Sequence, residues 1–248
     1  MPADGTETIL TIAASWISSV LNKRSPAPSK GFLPIPQSEA GSLLANLLWQ
    51  GVYRLRTAEL EKNETIRQVI PYVLLSRGPK WLWYRRPAKN GETRLQGRKS
   101  LGWGGHVRFE DQMSSMLPIS PGRNNQYVGS TNASLMTAIE TAALRELEEE
   151  TNLSGGMISP LTFRGLIHDD SDAVGRVHLG LVFTAEVSAG HEPITDSEEI
   201  ETFGWEEVTS LWGSVGREGV AGWEEWSRLL LPSIAAYSSG ISGGAACS

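Results

Sequence analysis

The heptapeptide RELEEET, residues 145 to 151, holds four carboxylates and one guanidinium in seven positions. Like charges three or four positions apart on a helix repel by roughly 0.2–0.5 kcal/mol per pair. Such crowding persists where solvent screens it or where positive charge sits among the carboxylates. Glu146, Glu149 and Glu150 are spaced i, i+3, i+4 and share one helical face about a turn long, whereas Glu148 points elsewhere and reads as solvated. Three carboxylates on one face form the all-oxygen donor set that suits a hard divalent cation, Mg2+ or Mn2+. Gly104 and Gly105, at the end of an apolar stretch, add backbone carbonyls able to complete the coordination. Alone, an acidic helical patch is most often only a solvated face, so the surrounding elements decide.

The helix itself is predicted over Leu135 to Leu153: Leu135, Ile139, Ala142, Ala143 and Leu147 line one face, and Asn152 serves as the stop. QVIPYVLLS and KWLWYRR read as two strands joined by the turn SRGPK, and SLGWGGHV as a strand running into the glycine pair. LTFRGLIHD and GRVHLGLVFTAEV read as strands separated by an acidic turn, and WEEVTSLW and AGWEEWSRLLL as short helices. Residues Glu110 to Ala133 lack apolar periodicity and read as a loop inserted before the helix. Upstream, Ile9, Ile12, Ala13, Trp16, Ile17, Val20 and Leu21 follow helical spacing over Thr8 to Leu21, and a Pro/Ser-rich linker comes next. The expected organisation is an N-terminal amphipathic helix and linker over 1–42, a main domain over 43–235 with an insert at about 110–133, and a flexible tail over 236–248. Strands and helices mix without a regular βαβ rhythm, which favours an α+β sandwich.

Composition narrows the class. Among 248 residues, 40% hydrophobic and 20% charged content describe a soluble globular chain, and a net charge of −6 without a Lys/Arg tract argues against a general nucleic-acid binder. A small phosphorylated ligand needs only a few local cations. The single cysteine, Cys247, excludes an intrachain disulfide and points to a reducing interior. No basic region precedes the Thr8–Leu21 stretch and it is too short to span a bilayer, so the expectation is a cytoplasmic protein without membrane contact. Its apolar face is expected to pack on its own domain or on a second subunit, which leaves a homodimer open.

The set GGHV followed by AALRELEEETNL resembles the Nudix box, G-x5-E-x7-R-E-U-x-E-E-x-G-U with U aliphatic. Gly105 matches the first glycine, and Arg145, Glu146, Leu147, Glu149, Glu150 and Leu153 match the second half in order. An apolar strand precedes the glycines, and EEIETFGWEEVTSL follows the last strand as in the family; the resemblance runs from about Ile66 to Leu211. IPYVLL, GWGGHV and VGRVHLGLVF look most like a branch described as predicted phosphoesterases. Two departures stand out. Gly105 and Arg145 are 40 positions apart (145 minus 105) where the box has 14, and the mid-box glutamate, counted back from Arg145, falls on Thr137. Arg145 then needs another carboxylate, from the insert or another strand. The late glycine is Asn152, which tolerates the left-handed conformation.

The resemblance implies a Nudix-type α/β/α sandwich with a mixed β-sheet and metal-dependent hydrolysis of a pyrophosphate or phosphoester linkage in a nucleoside diphosphate derivative or related metabolite. Glu149 and Glu150 would be the principal metal ligands, Glu146 a ligand or part of the base machinery, and Arg145 an organiser. Glu198 or Glu199, in a late loop, would add a further ligand. Crowding is expected to raise the carboxylate pKa values of the metal-free protein. Loss of the mid-box glutamate favours the alternative of a nucleotide-binding sensor without catalysis; no residue pattern demands an isomerase. Arg85 and Arg86 are candidates for phosphate contact, with surface ion pairing as the plainer reading. Trp103 is the candidate for stacking on a base, with packing as its alternative, and His178 could touch substrate or be a satisfied strand histidine.

Overall fold

The structure, a computed structural model, describes residues 7–22, 30–88, 96–116, 132–171, 173–194 and 200–241. In chain order the elements are β1 (Thr8–Ala13), α1 (Ala14–Asn22), β2 (Lys30–Pro34), α2 (Gln37–Leu48), β3 (Val52–Leu55), β4 (Ile66–Arg77), β5 (Lys80–Arg85), β6 (Lys99–Ser100), β7 (Gly102–Trp103), α3 (Phe109–Met116), α4 (Asn132–Thr151), β8 (Thr162–Asp169), β9 (His178–Glu186), β10 (Thr202–Glu207), α5 (Val208–Gly222) and α6 (Glu225–Ile241).

The strands form one mixed sheet in the order β10-β5-β4-β9-β8-β2. β4 and β9 run parallel from Gln68↔His178 to Ser76↔Glu186, and the other pairs are antiparallel. β4 is buried continuously from Arg67 to Leu75 because helices cover both of its faces. On one face Val69, Val73, Leu181 and Phe183 meet α1, α2 and α4 through Ile17, Leu47, Ile139 and Leu147. On the other, Tyr72, Leu74 and Val182 meet α5 and α6 through Leu211 and Leu231, with Trp223 of the intervening turn. The result is an α/β/α sandwich of the α+β class, as the sequence implied.

Several local expectations change. Thr8–Ala13 is a strand, not the first half of a helix: β1 joins β3 to the start of β4. Ile9, Leu10, Thr11 and Ile12 are all buried, so apolar residues fall at helical spacing in a strand covered on both faces. The following residues do form a helix, α1, whose Trp16 indole donates to the Asn46 carbonyl of α2 at 3.0 Å, so it packs on its own domain. Lys30–Pro34, read as linker, is the edge strand β2 on β8, so sheet and core reach well upstream of residue 43. Trp205–Glu207 extend strand β10 instead of opening a helix, and α6 carries the chain to Ile241, into the expected tail. Within the expected insert, Phe109–Met116 is helix α3 and 132–133 begin α4; residues 117–131 lie outside the described residues, as do 242–248.

Candidate active site on the acidic helix

Helix α4 turns Leu135, Ala138, Ile139, Ala142, Ala143 and Leu147 into the core, and this fixes the rotation of its acidic end. The helix stops where expected: Asn152 takes a left-handed φ of 55°, and its N–H reaches the Glu148 carbonyl at 2.9 Å. Glu146 lies at the flank of the buried face and is itself buried, at 8% exposure. It rests against Gly105, where a Cβ would come within 2.3 Å of the Glu146 carboxyl carbon. A Cβ on Gly104 would lie 2.0 Å from the Pro71 carbonyl. The glycine pair is therefore the condition for strand β4, the turn and the helix carboxylate to pack together.

Arg145 organises this corner. Its Nη1 donates to Glu146 Oε1 at 2.6 Å and to Glu149 Oε2 at 3.2 Å. Nη2 donates to the His106 carbonyl at 3.1 Å. Nε and Nη2 clasp the two oxygens of Asp111 at 2.9 and 3.1 Å. Asp111 is buried at 3% exposure and also accepts the Arg108 N–H at 2.8 Å, which fastens the start of α3. The carboxylate missing from the box is thus Asp111, not Thr137. Thr137 is exposed and gives its hydroxyl to the Ala133 carbonyl. Counting backward from Arg145 crosses the insert and loses register; counting forward from Gly105 through five residues lands on Asp111. That forward count was the available signal.

Burial raises the Glu146 pKa; the Arg145 charge pulls it back, and Glu149 repulsion is a smaller contribution. Desolvation, not crowding, is therefore the leading cause. Glu149 is half exposed. Glu150 lies within electrostatic reach of Tyr84 and Arg86. Among the described residues no three His, Cys, Asp or Glu side chains converge on one point. The donor chemistry nevertheless fits a hard divalent cation: Glu146, Glu149 and Glu150 carry oxygen only, and the Gly105 cradle brings backbone to the Glu146 carboxylate. Glu146 and Glu149 are turned onto Arg145 and Arg108. Glu198 and Glu199 lie outside the described residues.

The substrate candidates fare unevenly. Trp103 is fully buried with its ring 4.2 Å from that of Tyr84, so it is a core residue and has no face free for a base. Arg85 donates to the Gly97 carbonyl and to Glu218, and Arg86 to Glu224 and the Tyr84 hydroxyl, so both tie β5 to its neighbours. His178 donates Nδ1–H to the Val174 carbonyl at 2.8 Å, its ring 5.8 Å from that of His106. His106 donates Nε2–H to Gln68 Oε1 at 2.6 Å, and burial, followed by nearby Arg56, holds it well below the usual histidine range and hence neutral.

The comparisons with known proteins bear on the domain and the fold. The NUDIX domain profile matches residues 137–226. The crystal structure of Tm1382, itself a proposed Nudix hydrolase, superposes with a TM-score of 0.60 at 25% identity over 94% of this chain and 99% of that one. Protein YmaB of Bacillus subtilis (strain 168) is 29% identical over 175 residues, 70% of this chain and 75% of that protein. The second half of the chain is thus similar to the NUDIX domain, and the fold as a whole is similar to that of Tm1382. No described helix is long and apolar enough to cross a membrane.

Proposed function

We propose that the protein is a metal-dependent phosphohydrolase that cleaves a pyrophosphate or phosphoester linkage in a nucleoside diphosphate derivative or a related small phosphorylated metabolite. The observation that carries this reading is the Glu146 carboxylate, set against Gly105 and held by an Arg145 that Asp111 clasps in turn. Glu149 and Glu150, with Glu146 and the Gly104 and Gly105 carbonyls, would hold the cation. Mg2+ or Mn2+, when bound, supplies charge neutralisation and Lewis acidity to the phosphates. The chain's own residues supply the rest. Arg145 sets the position of Glu146. The apolar wall of α4 keeps water from that carboxylate's inner side. The missing mid-box glutamate favoured the sensor reading; Asp111 supplies Arg145 with a carboxylate in its place, which supports the hydrolase.

The test is product release across a panel of nucleoside diphosphate derivatives with Mg2+ and with Mn2+. Turnover that requires the cation and is lost in Glu146→Gln is the expected result. Nucleotide binding without turnover for every member of the panel would refute the hydrolase.

A further inference from the structure

Arg108 lies three positions after Gly105, gripped by the N-terminal strand: Ile9 bridges to Arg108, and the Leu10 N–H donates to the Val107 carbonyl at 2.8 Å. Its Nε donates to Glu7 Oε1 at 2.6 Å. The other Glu7 oxygen accepts from Arg56 Nη1 at 3.0 Å, and Arg56 Nε is held by Glu61 Oε1 at 2.6 Å. Glu7 is fixed at the backbone too, its carbonyl accepting the Arg56 N–H at 2.8 Å. The far end of Arg108 points to α4. Nη1 stands 3.7 Å from Glu149 Oε1, and Nη2 stands 3.9 Å from Glu146 Oε1. Both separations exceed hydrogen-bond range, and neither nitrogen makes a hydrogen bond among the described residues. Arg145, by contrast, uses all three of its nitrogens. Arg108 is also 37% exposed against 21% for Arg145.

The geometry points to Arg108 as a substrate-contacting residue: its terminal fork takes a phosphate of the substrate above the α4 carboxylates, and we propose Glu7 as the positioning residue that aims it. A planar fork with two free N–H edges matches two phosphate oxygens. Its Nε stays anchored on Glu7 while the two terminal nitrogens remain free to bind. The N-terminal strand thus supplies part of the site. This inference rests on the phosphorylated-substrate reading above for the ligand, not for the reaction.

The charge logic gives a test with two signs. A guanidinium beside Glu146 and Glu149 opposes a cation there and attracts an anion. Mg2+ alone, and then inorganic pyrophosphate at saturating Mg2+, are titrated calorimetrically into the full chain, with circular dichroism as the folding control. Arg108→Gln should bind Mg2+ at least as tightly as the parent and pyrophosphate about tenfold more weakly. Arg108→Lys, which keeps the charge and loses the fork, should fall between. Glu7→Gln should weaken pyrophosphate a few-fold, and Glu7→Asp should restore most of it. Unchanged pyrophosphate binding in Arg108→Gln, or parallel loss of Mg2+ and pyrophosphate, would overturn the proposal; the second outcome would mark Arg108 as a structural brace. An unaffected Glu7→Gln removes the positioning role. A parent that binds no pyrophosphate overturns this proposal together with the function reading. The two-sign split in a protein that hydrolyses nothing on the panel supports Arg108 and sinks only the hydrolase.

Discussion

Asp111→Asn is the sharpest perturbation the site offers. The substitution keeps shape and one acceptor oxygen but removes the charge that meets Arg145 Nε and Nη2 at 2.9 and 3.1 Å. Removing one partner of a buried ion pair costs about 3–5 kcal/mol. Arg145 keeps Glu146, Glu149 and the His106 carbonyl, and its side chain is 21% exposed, so the expected loss is smaller, about 2–3 kcal/mol. For a chain of this size that lowers Tm by about 4–12 °C. Catalysis should suffer more, because Arg145 then falls onto Glu146 and Glu149, and a misplacement of about 1 Å costs on the order of 10²-fold in rate. Urea unfolding of Asp111→Asn, Arg145→Met and the double variant gives the pair energy directly, expected at about 1–3 kcal/mol. Adding Thr137→Glu to Asp111→Asn should restore neither stability nor rate, since position 137 faces solvent. A pair energy below about 0.5 kcal/mol, or rescue by Thr137→Glu, would refute the assignment of Asp111.

Other outcomes follow from the same geometry. Glu150→Gln should cut Mg2+ affinity and hydrolysis by orders of magnitude, while Glu148→Gln, exposed on the other side of α4, should be close to silent in both assays. Gly105→Ala forces a methyl into the Glu146 carboxylate, at an overpacking cost of about 1–3 kcal/mol, with loss of activity beyond what thermal melts of the folded fraction explain. Removing residues 1–13 deletes Ile9, Leu10 and Ile12 from the core at about 1.5–3 kcal/mol each, comparable to the whole stability of a domain, so circular dichroism should show an unfolded chain and not merely a changed oligomer. Deleting 117–131 should change KM or substrate choice more than Tm, read from kinetics and melting together.

Period and motif made much of the molecule legible. The long apolar strands and α4 are recoverable because their burial follows a regular face. The packing of Glu146 against the glycine pair is legible because the motif sets a side-chain-free position opposite the helix carboxylate. Thr8–Ala13 misleads because burial on both faces erases the alternation that marks a half-buried strand. Helix α3 escapes notice because its Phe109 and Met113 are exposed and its stability comes from contacts remote in sequence, such as Gln112 with Ser134. Trp103 stayed open between stacking on a base and packing because sequence position beside a glycine pair says nothing about which face it turns to; the packing reading holds.

The crowding in RELEEET now has a physical reason. Asp111, Arg145, Glu146 with Glu149, Arg108, Glu7, Arg56 and Glu61 form a chain of alternating charge from α3 across α4 to the N-terminal ribbon. Each guanidinium lies between carboxylates, which offsets the repulsion a bare acidic helix would carry. Five carboxylates against three guanidinium groups leave two negative charges over in this chain of contacts, the charge that one divalent cation balances. A cation at Glu146 and Glu149 would offset their longer-range attraction for Arg108, at 3.9 and 3.7 Å, and leave its fork to an anion. The same groups would then stabilise the metal-free fold and, with the cation bound, favour a phosphorylated ligand. High salt should therefore weaken the metal-free protein at this corner, and Mg2+ should raise Tm in the parent but not in Glu146→Gln with Glu150→Gln. A parent melt insensitive to Mg2+ at millimolar concentration would show that these carboxylates do not hold the ion.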